Sequence, residues 1–558
     1  MMTRPFQLVC IALVVLLMQC TSKKTISRSD IESSERLVNL EFSQAELDTM
    51  IDYLEGNRKG YDSMRKWHLA NKTNPALYFD PRPDHFVLKT RPGNSNWRLP
   101  DQVGLPDTDE KIAFMTVAEL GNLIRTRKLT STQLTEIYLN RLKKFGDTLQ
   151  AVVTITEAMA RQQAKQADEE IAAGKYRGPL HGIPYGIKDL FAVPGYKTTW
   201  GAEPYKDQVI EEKAYVVQKL ETAGAVLVAK LVSGALARGD VWFGGKTKNP
   251  WDLKQGATGS SAGSASATSA GLVAFSIGTE TLGSILAPSS RCGATGLRPT
   301  FGSVSRDGAM VLSWSMDKAG PICRTAQDCA IVFEAIRGAD PAVNLDRSVV
   351  NYPVVFNPPA DLKGYRIGYF KKMFDKDTTR TRPINEESLK LLKSLGAELV
   401  AVDMPDSIPW AAFDIVLRAE SGAFFDELVR EHRDRLLSEQ TQESRANSLR
   451  QARFITAVEY LQANRHRSVL IEKFNRMMAP FDFVVAPSNG RNLSMATNLT
   501  GHPAMALPNG FDKKGRPTSL TLIGNLYDEG PMLEAAYLIQ QASDFEEKHP
   551  ARFVRTPK

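Results

Sequence analysis

The chain has 558 residues, 42% hydrophobic and 24% charged, a balance that excludes a disordered or fibrous protein and allows one large domain with additions or several smaller ones. Its formal charge of +7 is spread along the sequence. The basic clusters "KK" and "RHR" are not interleaved with aromatic residues, so no nucleic-acid groove is expected.

The first stretch, "MMTRPFQLVCIALVVLLMQCTSKK", places Arg4 before an apolar run from about Phe6 to Met18, then Cys20 and a polar continuation. That is the layout of a secretory signal, and the run is short for a membrane span. "LMQC" (Leu17 to Cys20) resembles a bacterial lipobox, with Gln19 where a small residue is usual. The expectation is a lipoprotein-type signal over 1–20, lipidation at Cys20 and export to the cell envelope, with an ordinary signal or an uncleaved anchor as alternatives. Residues 21–112 read as an N-terminal extension. Within it "SQAELDTMIDYLEGNRKGYDSMRKW" has helical spacing, whereas "NPALYFDPRPDHFVLKTRPGNSNWRLPDQVGLPDTD" is rich in proline, glycine and aspartate and should run as irregular chain over a neighbouring surface.

Regular structure is expected from near Phe114. In "TSTQLTEIYLNRLKKFG" Thr130 and Gln133 form a capping box, Leu134, Ile137, Tyr138 and Leu142 share one face, and Gly146 is the expected stop. A second helix is predicted over about Thr156 to Ala173. The apolar runs at 225–229, 272–277 and 483–487 have strand length, so helices alternate with buried strands in an α/β pattern. Outside the signal, which holds Cys10 and Cys20, the cysteines are Cys292, Cys323 and Cys329. They lack metal-ligand spacing and read as buried small hydrophobes, with a Cys323–Cys329 bridge open in an oxidising compartment.

The stretch "QGATGSSAGSASATSAG" (255–271) has no charge and no large side chain after its glutamine. A flexible linker there would divide one sheet domain, and the usual proline or charge is missing. "GSSAG" (Gly259 to Gly263) also fits the G-x-S-x-G nucleophile elbow, which requires a preceding strand and an ordered acid and histidine. "DLKQGAT" reads as no strand, and His432, His466, His502 and His549 carry no local signature. The neighbours give a third reading. "GPLHGIPYGIKDLFAVPGYKTTWG", "TGSSAGS", "GTETLGSILAPSSRCGATGLRPTFGSVSRDG", "SMDKAGPICRTAQDC", "NLTGHPAMALPNG" and "TSLTLIGNLYDEGPMLEAA" together resemble the amidase signature family, over about 113–340 and 475–545.

The resemblance implies an α/β amidase-signature fold, with a mixed central β-sheet flanked by helices and a variable helical subdomain. The amidase domain would span 113–546, with a variable insert at about 345–470 and a C-terminal tail at 547–558. It implies a catalytic set of Lys188, Ser260 in a cis peptide after Gly259, and the nucleophile Ser284, with no metal or organic cofactor. The residue types suit the chemistry. A serine hydroxyl attacks only when something takes its proton, and a lysine does this once burial leaves it neutral. Ser260 would relay between them, and the backbone N–H groups of Thr281, Leu282, Gly283 and Ser284 would form an oxyanion hole. Ser261 is either a partner of Lys188 or a purely structural serine.

The sequence also departs from the family. Glu280, Leu282 and Leu286 stand where members commonly have aspartate, glycine and arginine. Leu282 adds bulk beside the expected oxyanion hole, and Arg291 is either a substitute for the missing cation or an ordinary surface residue. His181 and His502 read as packing residues, Asp189 and Lys197 as local ion-pair formers, and Asp317 as a structural residue near the catalytic floor. The expected function is an exported amidase cleaving a small-molecule or peptide amide, with the membrane as partner through Cys20 and no nucleic acid. Two alternatives stay open: the glutaminase subunit of a tRNA-dependent amidotransferase, and a catalytically weak envelope protein that binds amides or peptides.

Overall fold

The computed structural model describes residues 25–554 apart from 67, 68, 71, 90, 378–380, 407, 488 and 489. The signal read at 1–20, with Cys20, lies outside the described residues. Among the described residues no helix is long and apolar enough to cross a membrane. The chain divides into two compact units between Thr73 and Asn74.

The smaller unit holds the helices Arg28–Val38 and Gln44–Met64. Each starts at a capping box, Ser27 with Asp30 and Ser43 with Glu46, which satisfies N–H groups that a helix start leaves without partners. The helical spacing read in 43–67 is realised over Gln44–Met64. The helix before it was not anticipated, because one buried residue, Ile31, gives it almost no apolar stripe.

The larger unit is built on one sheet of 11 strands. In chain order they are β1 Val152–Ile155, β2 Pro184–Lys188, β3 Val226–Leu231, β4 Phe275–Glu280, β5 Thr295–Arg298, β6 Lys318–Cys323, β7 Arg366–Phe370, β8 Glu398–Val402, β9 Phe483–Ala486, β10 Ala504–Phe511 and β11 Pro517–Gly524. Across the sheet they run β1-β3-β2-β4-β6-β5-β10-β11-β9-β7-β8. β3, β2 and β4 are parallel, as are β9, β7 and β8, and the remaining pairs are antiparallel. The sheet is therefore mixed. β2, β3 and β6 bury every residue, as strands covered on both faces must. The parallel neighbours β2 and β4 bring Lys188 and Glu280 to the carboxyl ends of two interior strands, the end at which open α/β sheets place their sites.

The helix Ser131–Leu149 opens on the expected Thr130–Gln133 box and buries Leu134, Ile137, Tyr138 and Leu142. Gly146 is not its stop. The helix runs three residues further, to Gln150 in the left-handed region (φ 50°). A Cβ at Gly146 would stand 3.2 Å from Val152 Cγ2, so this glycine makes room for β1. The next helix, Glu157–Ala172, matches expectation, with Thr156 just before it. β4 starts at Phe275, three residues later than the apolar run suggested, because 272–274 form a buried connection from the preceding helix. Cys323 and Cys329 are buried and free, so the open bridge is not formed.

From Asn74 to Thr108 the chain is irregular and tied down along its length. The Asn96 N–H donates to Phe356 C=O (2.7 Å), Trp97 stacks on Phe356 (5.8 Å, 15°) and Arg91 pairs with Asp528 (2.9 Å). At the other end Phe553 is buried, and Arg141 Nη2 donates to its carbonyl (2.9 Å).

The glycine- and serine-rich stretch passes from a short strand, Asp252–Gly256, into the helix Ala262–Ser269, whose eight residues are all buried. A strand does precede "GSSAG", contrary to the sequence reading. It pairs only with Lys248–Asn249 outside the main sheet, so it does not make a nucleophile elbow. A Cβ on Gly263 would lie 2.3 Å from Val232 N and 2.4 Å from Ala151 O. The hydroxyls tie the helix to its surroundings. Ser264 Oγ donates to Ile277 O (3.2 Å), Ser266 Oγ to Lys248 O (2.8 Å) and Ser269 Oγ to Cys292 O (2.6 Å). The composition thus reflects close approach, with these helix hydroxyls paired to carbonyls of the surrounding chain. Gly263→Ala should destabilise the larger unit by about 1–3 kcal/mol or more, because the clash is with backbone. Thermal or urea unfolding checks this, and an unchanged midpoint would contradict the packing.

Candidate active site

Lys188 closes β2 with its side chain fully buried. Its Nζ lies 2.7 Å from Ser260 Oγ and 2.8 Å from Thr279 Oγ1, with Thr279 O at 3.4 Å. Among the described residues it forms no ion pair. Burial pulls the amine down to about 7, against the opposing fields of Asp317 and Glu280. The relay partner is equally enclosed. Ser260 is fully buried and follows a cis peptide from Gly259. A Cβ at 259 would stand 1.8 Å from Gly239 O, so only glycine fits where the two loops meet.

Ser284 reaches this pair through the backbone, since the Ser261 N–H donates to Ser284 C=O (3.1 Å). Lys188 and Ser260 are 0% exposed and Ser284 is 8% exposed, so the serine at 284 is the one that solvent touches. Among the described residues its hydroxyl has no hydrogen-bond partner. The backbone N–H groups of Thr281, Leu282, Gly283 and Ser284 likewise donate to no acceptor among the described residues. Gly283 turns the chain in the left-handed region (φ 83°). Successive free N–H groups in such a turn form a concave anion site.

Ser261 does not reach Lys188. Its Oγ donates to Thr279 O (3.0 Å) and accepts from Thr279 N (3.1 Å), so it holds in place the threonine that does. Thr279 is the residue the sequence reading missed. Strand alternation offered the one available signal, because it sets 279 and 281 on one face of β4 and 280 on the other.

On that opposite face Glu280 is fully buried. Its Oε1 accepts from Arg298 Nη1 (2.7 Å) and Asn498 Nδ2 (2.9 Å), and its Oε2 from the N–H groups of Ile285 (2.9 Å) and Leu286 (3.0 Å). Despite its burial, these partners hold the carboxyl at about 2. Glu280 therefore anchors the turn that carries Ser284. Arg298 supplies the buried cation. Arg291 is not a substitute, since its guanidinium meets Gln255 at the surface (2.9 Å). Leu286 is buried in an apolar cluster with Phe474, Ala506 and Ile523. Leu282 packs toward another cluster, containing Met316, Phe413, Leu417 and Met495.

Asp317 acts structurally, as its position suggested. Its Oδ1 accepts from Thr281 Oγ1 (2.5 Å), and its Oδ2 from the N–H groups of Leu312 (2.7 Å) and Ser313 (3.0 Å). Burial pushes its pKa up. Asp189 pairs with buried Lys230 (2.8 Å), and Lys197 with Asp207 at the surface (2.7 Å). His181 Nδ1 accepts the Arg177 N–H (3.1 Å). His502 Nδ1 meets Thr500 Oγ1 (2.8 Å), and burial takes its pKa down to about 3. A cavity of about 670 Å³ lies between Tyr78, Phe79, Trp314, Glu420, Tyr460 and Arg467, and none of Lys188, Ser260 and Ser284 lines it.

Comparison with known proteins adds independent findings. The family model described as Amidase matches residues 133–494. A glutamyl-tRNA(Gln) amidotransferase subunit from Prochlorococcus marinus (strain MIT 9211) is 33% identical over 77% of this chain and 97% of that protein. The protein of the same name from Chromobacterium violaceum is 31% identical over 78% of this chain and 99% of its own length. Among solved structures, the native peptide amidase from Stenotrophomonas maltophilia superposes with a TM-score of 0.69 at 29% identity, covering 78% of this chain and 98% of that one.

Any turnover that uses Lys188 as its base needs the deprotonated amine. Activity is therefore expected to be low at acid pH, to rise through a limb centred near pH 7, and to level off above it. The pH dependence of kcat/KM checks this. A flat profile from pH 6 to about 9 would speak against the amine as base.

Proposed function

The chain belongs to the amidase family and acts on carboxamide C–N bonds, and we propose that it does so through an acyl ester on Ser284. Ser260 passes its proton to the neutral amine of Lys188 and takes one from Ser284, whose oxygen attacks the amide carbonyl. The developing oxyanion settles against the N–H groups of Thr281 to Ser284, an interaction worth several kcal/mol of transition-state stabilisation, on the order of 3 per donor. The relay then returns a proton to the departing amine (ammonia, where the amide is primary), and water that gives a proton to the same relay attacks the ester, releasing the carboxylic acid and restoring the Ser284 hydroxyl. The observation that carries this reading is the 2.7 Å contact between a fully buried amine and Ser260.

Two sources of the amide fit this chemistry. The curated relatives favour glutamine, with the ammonia handed to a partner protein, since they are named as subunits of glutamyl-tRNA(Gln) amidotransferase and match over nearly their whole length. A self-contained enzyme acting on a small-molecule or peptide amide is favoured by the likeness to a peptide amidase. The signal-like residues 1–20 support the second reading as well. With them we propose export and a lipid anchor at Cys20, on the strength of the apolar run and "LMQC" alone.

Ammonia release from glutamine and from a set of amidated dipeptides, measured on the same protein, decides between the two sources. Faster release from glutamine upholds the amidotransferase reading, and faster release from the peptides the other. Ser284→Ala should lower either rate by about three orders of magnitude or more. It should also abolish labelling by a fluorophosphonate, which in the unaltered chain is expected at Ser284. An unlabelled wild-type chain that still binds amides would instead support a non-catalytic binder.

A further inference from the structure

We propose that Glu420, in the variable insert, is a positioning residue for the reaction: it fixes the loop 312–317, and through Asp317 it fixes Thr281 at the start of the turn that carries Ser284. The proposal rests on reading that turn as the oxyanion site. Glu420 lies on the helix Asp414–Phe424 and is 5% exposed. Its Oε2 accepts from Ser313 Oγ (2.6 Å) and Ser315 N (2.9 Å), and its Oε1 from Ser315 Oγ (2.6 Å) and Tyr460 OH (2.9 Å). Among the described residues no cation pairs with this carboxylate. Burying an acid without a counter-ion is costly unless hydrogen bonds satisfy it, and three of the four donors here come from one short loop.

The same loop is held from a second side. Arg467, on the helix Ala457–Met478, donates to Ser315 Oγ (2.8 Å) and Ser315 O (2.9 Å). Two residues on, Asp317 binds the N–H groups of Leu312 and Ser313 and the hydroxyl of Thr281. Hydrogen bonds thus run without a break from Glu420 through Ser313 to Asp317 and Thr281, while Ser315, held by both Glu420 and Arg467, fixes the loop two residues before Asp317. Met316, within that loop, shares an apolar cluster with Leu282. A glutamine at 420 has one acceptor oxygen in place of two and no charge, so the charge-assisted bonds to the loop weaken and the hydroxyls facing its amide N–H₂ must turn to accept. A displacement of about 1 Å at a catalytic turn is enough to slow reaction on the order of 100-fold.

The test uses a fluorophosphonate, followed by intact mass and peptide mapping on the full chain. The Ser284 oxygen forms a bond to phosphorus, fluoride leaves, and the hydroxyl proton passes through Ser260 to Lys188. Glu420→Gln and Ser315→Ala are each expected to slow labelling per folded molecule at least about tenfold. The double variant should be no slower than the slower single one, since both act along one path. Asp434→Asn damages the same insert at its contact with Arg450 (2.6 Å). It should lower the unfolding midpoint while leaving the labelling rate within about twofold. Unchanged rates in Glu420→Gln and Ser315→Ala would overturn the proposal, as would equal slowing by Asp434→Asn. If Glu420→Gln does not fold, Ser315→Ala decides alone. Failure of the unaltered chain to label at Ser284 would overturn the reading of the active site itself, an outcome that needs no variant.

Discussion

A lysine amine buried without a counter-ion is the constraint on which the rest of the structure depends. Desolvation disfavours its charged form, and a nearby free carboxylate would restore that charge. Two carboxylates are close enough to matter, Asp317 and Glu280, and both raise the amine's pKa somewhat. Each is otherwise engaged. Glu280 is taken up by Arg298, Asn498 and two backbone N–H groups. Asp317 is taken up by Thr281 and two more N–H groups. Hydroxyls at Ser260 and Thr279 are left to meet Lys188, and they bind the neutral amine without forcing a proton onto it.

The end of β4 distributes these tasks by simple alternation. Thr279 faces the amine, Glu280 turns to the opposite side to brace the following turn, and Thr281 returns to meet Asp317. The glycines and small residues serve the same geometry. Gly259 lets its loop sit against Gly239, and Gly263 lets a buried helix touch the backbone of 151 and 232. The loop 312–317 and the insert helices then hold the turn from outside. The helices at 414–424 and 457–478 lie far from Ser284 along the chain, yet their contacts run directly to the loop that carries Asp317.

The family, the α/β class and the meeting of Lys188 with Ser260 were legible in the sequence because they reside in short contiguous motifs, where residue type alone carries chemistry. The capping box at Thr130 and Gln133 was legible for the same reason: both partners lie within one turn. Gly146 was misread, since local propensity marks a glycine as a stop and only its neighbour in space, Val152, shows that it makes room. Arg291 was misread by proximity along the chain, whereas the cation that meets Glu280 is Arg298, delivered by another strand.

What the sequence by itself determined is therefore the inventory: which groups can give or take a proton, which segments are small enough to lie buried, and which family they resemble. Tertiary structure alone decided the pairings. Thr279 rather than Ser261 meets the amine, Glu280 braces a turn, and a glutamate from the insert reaches a loop more than 100 residues before it. The physical reason is that hydrogen bonds and desolvation act over a few ångströms in space, while a sequence records only neighbours along the chain.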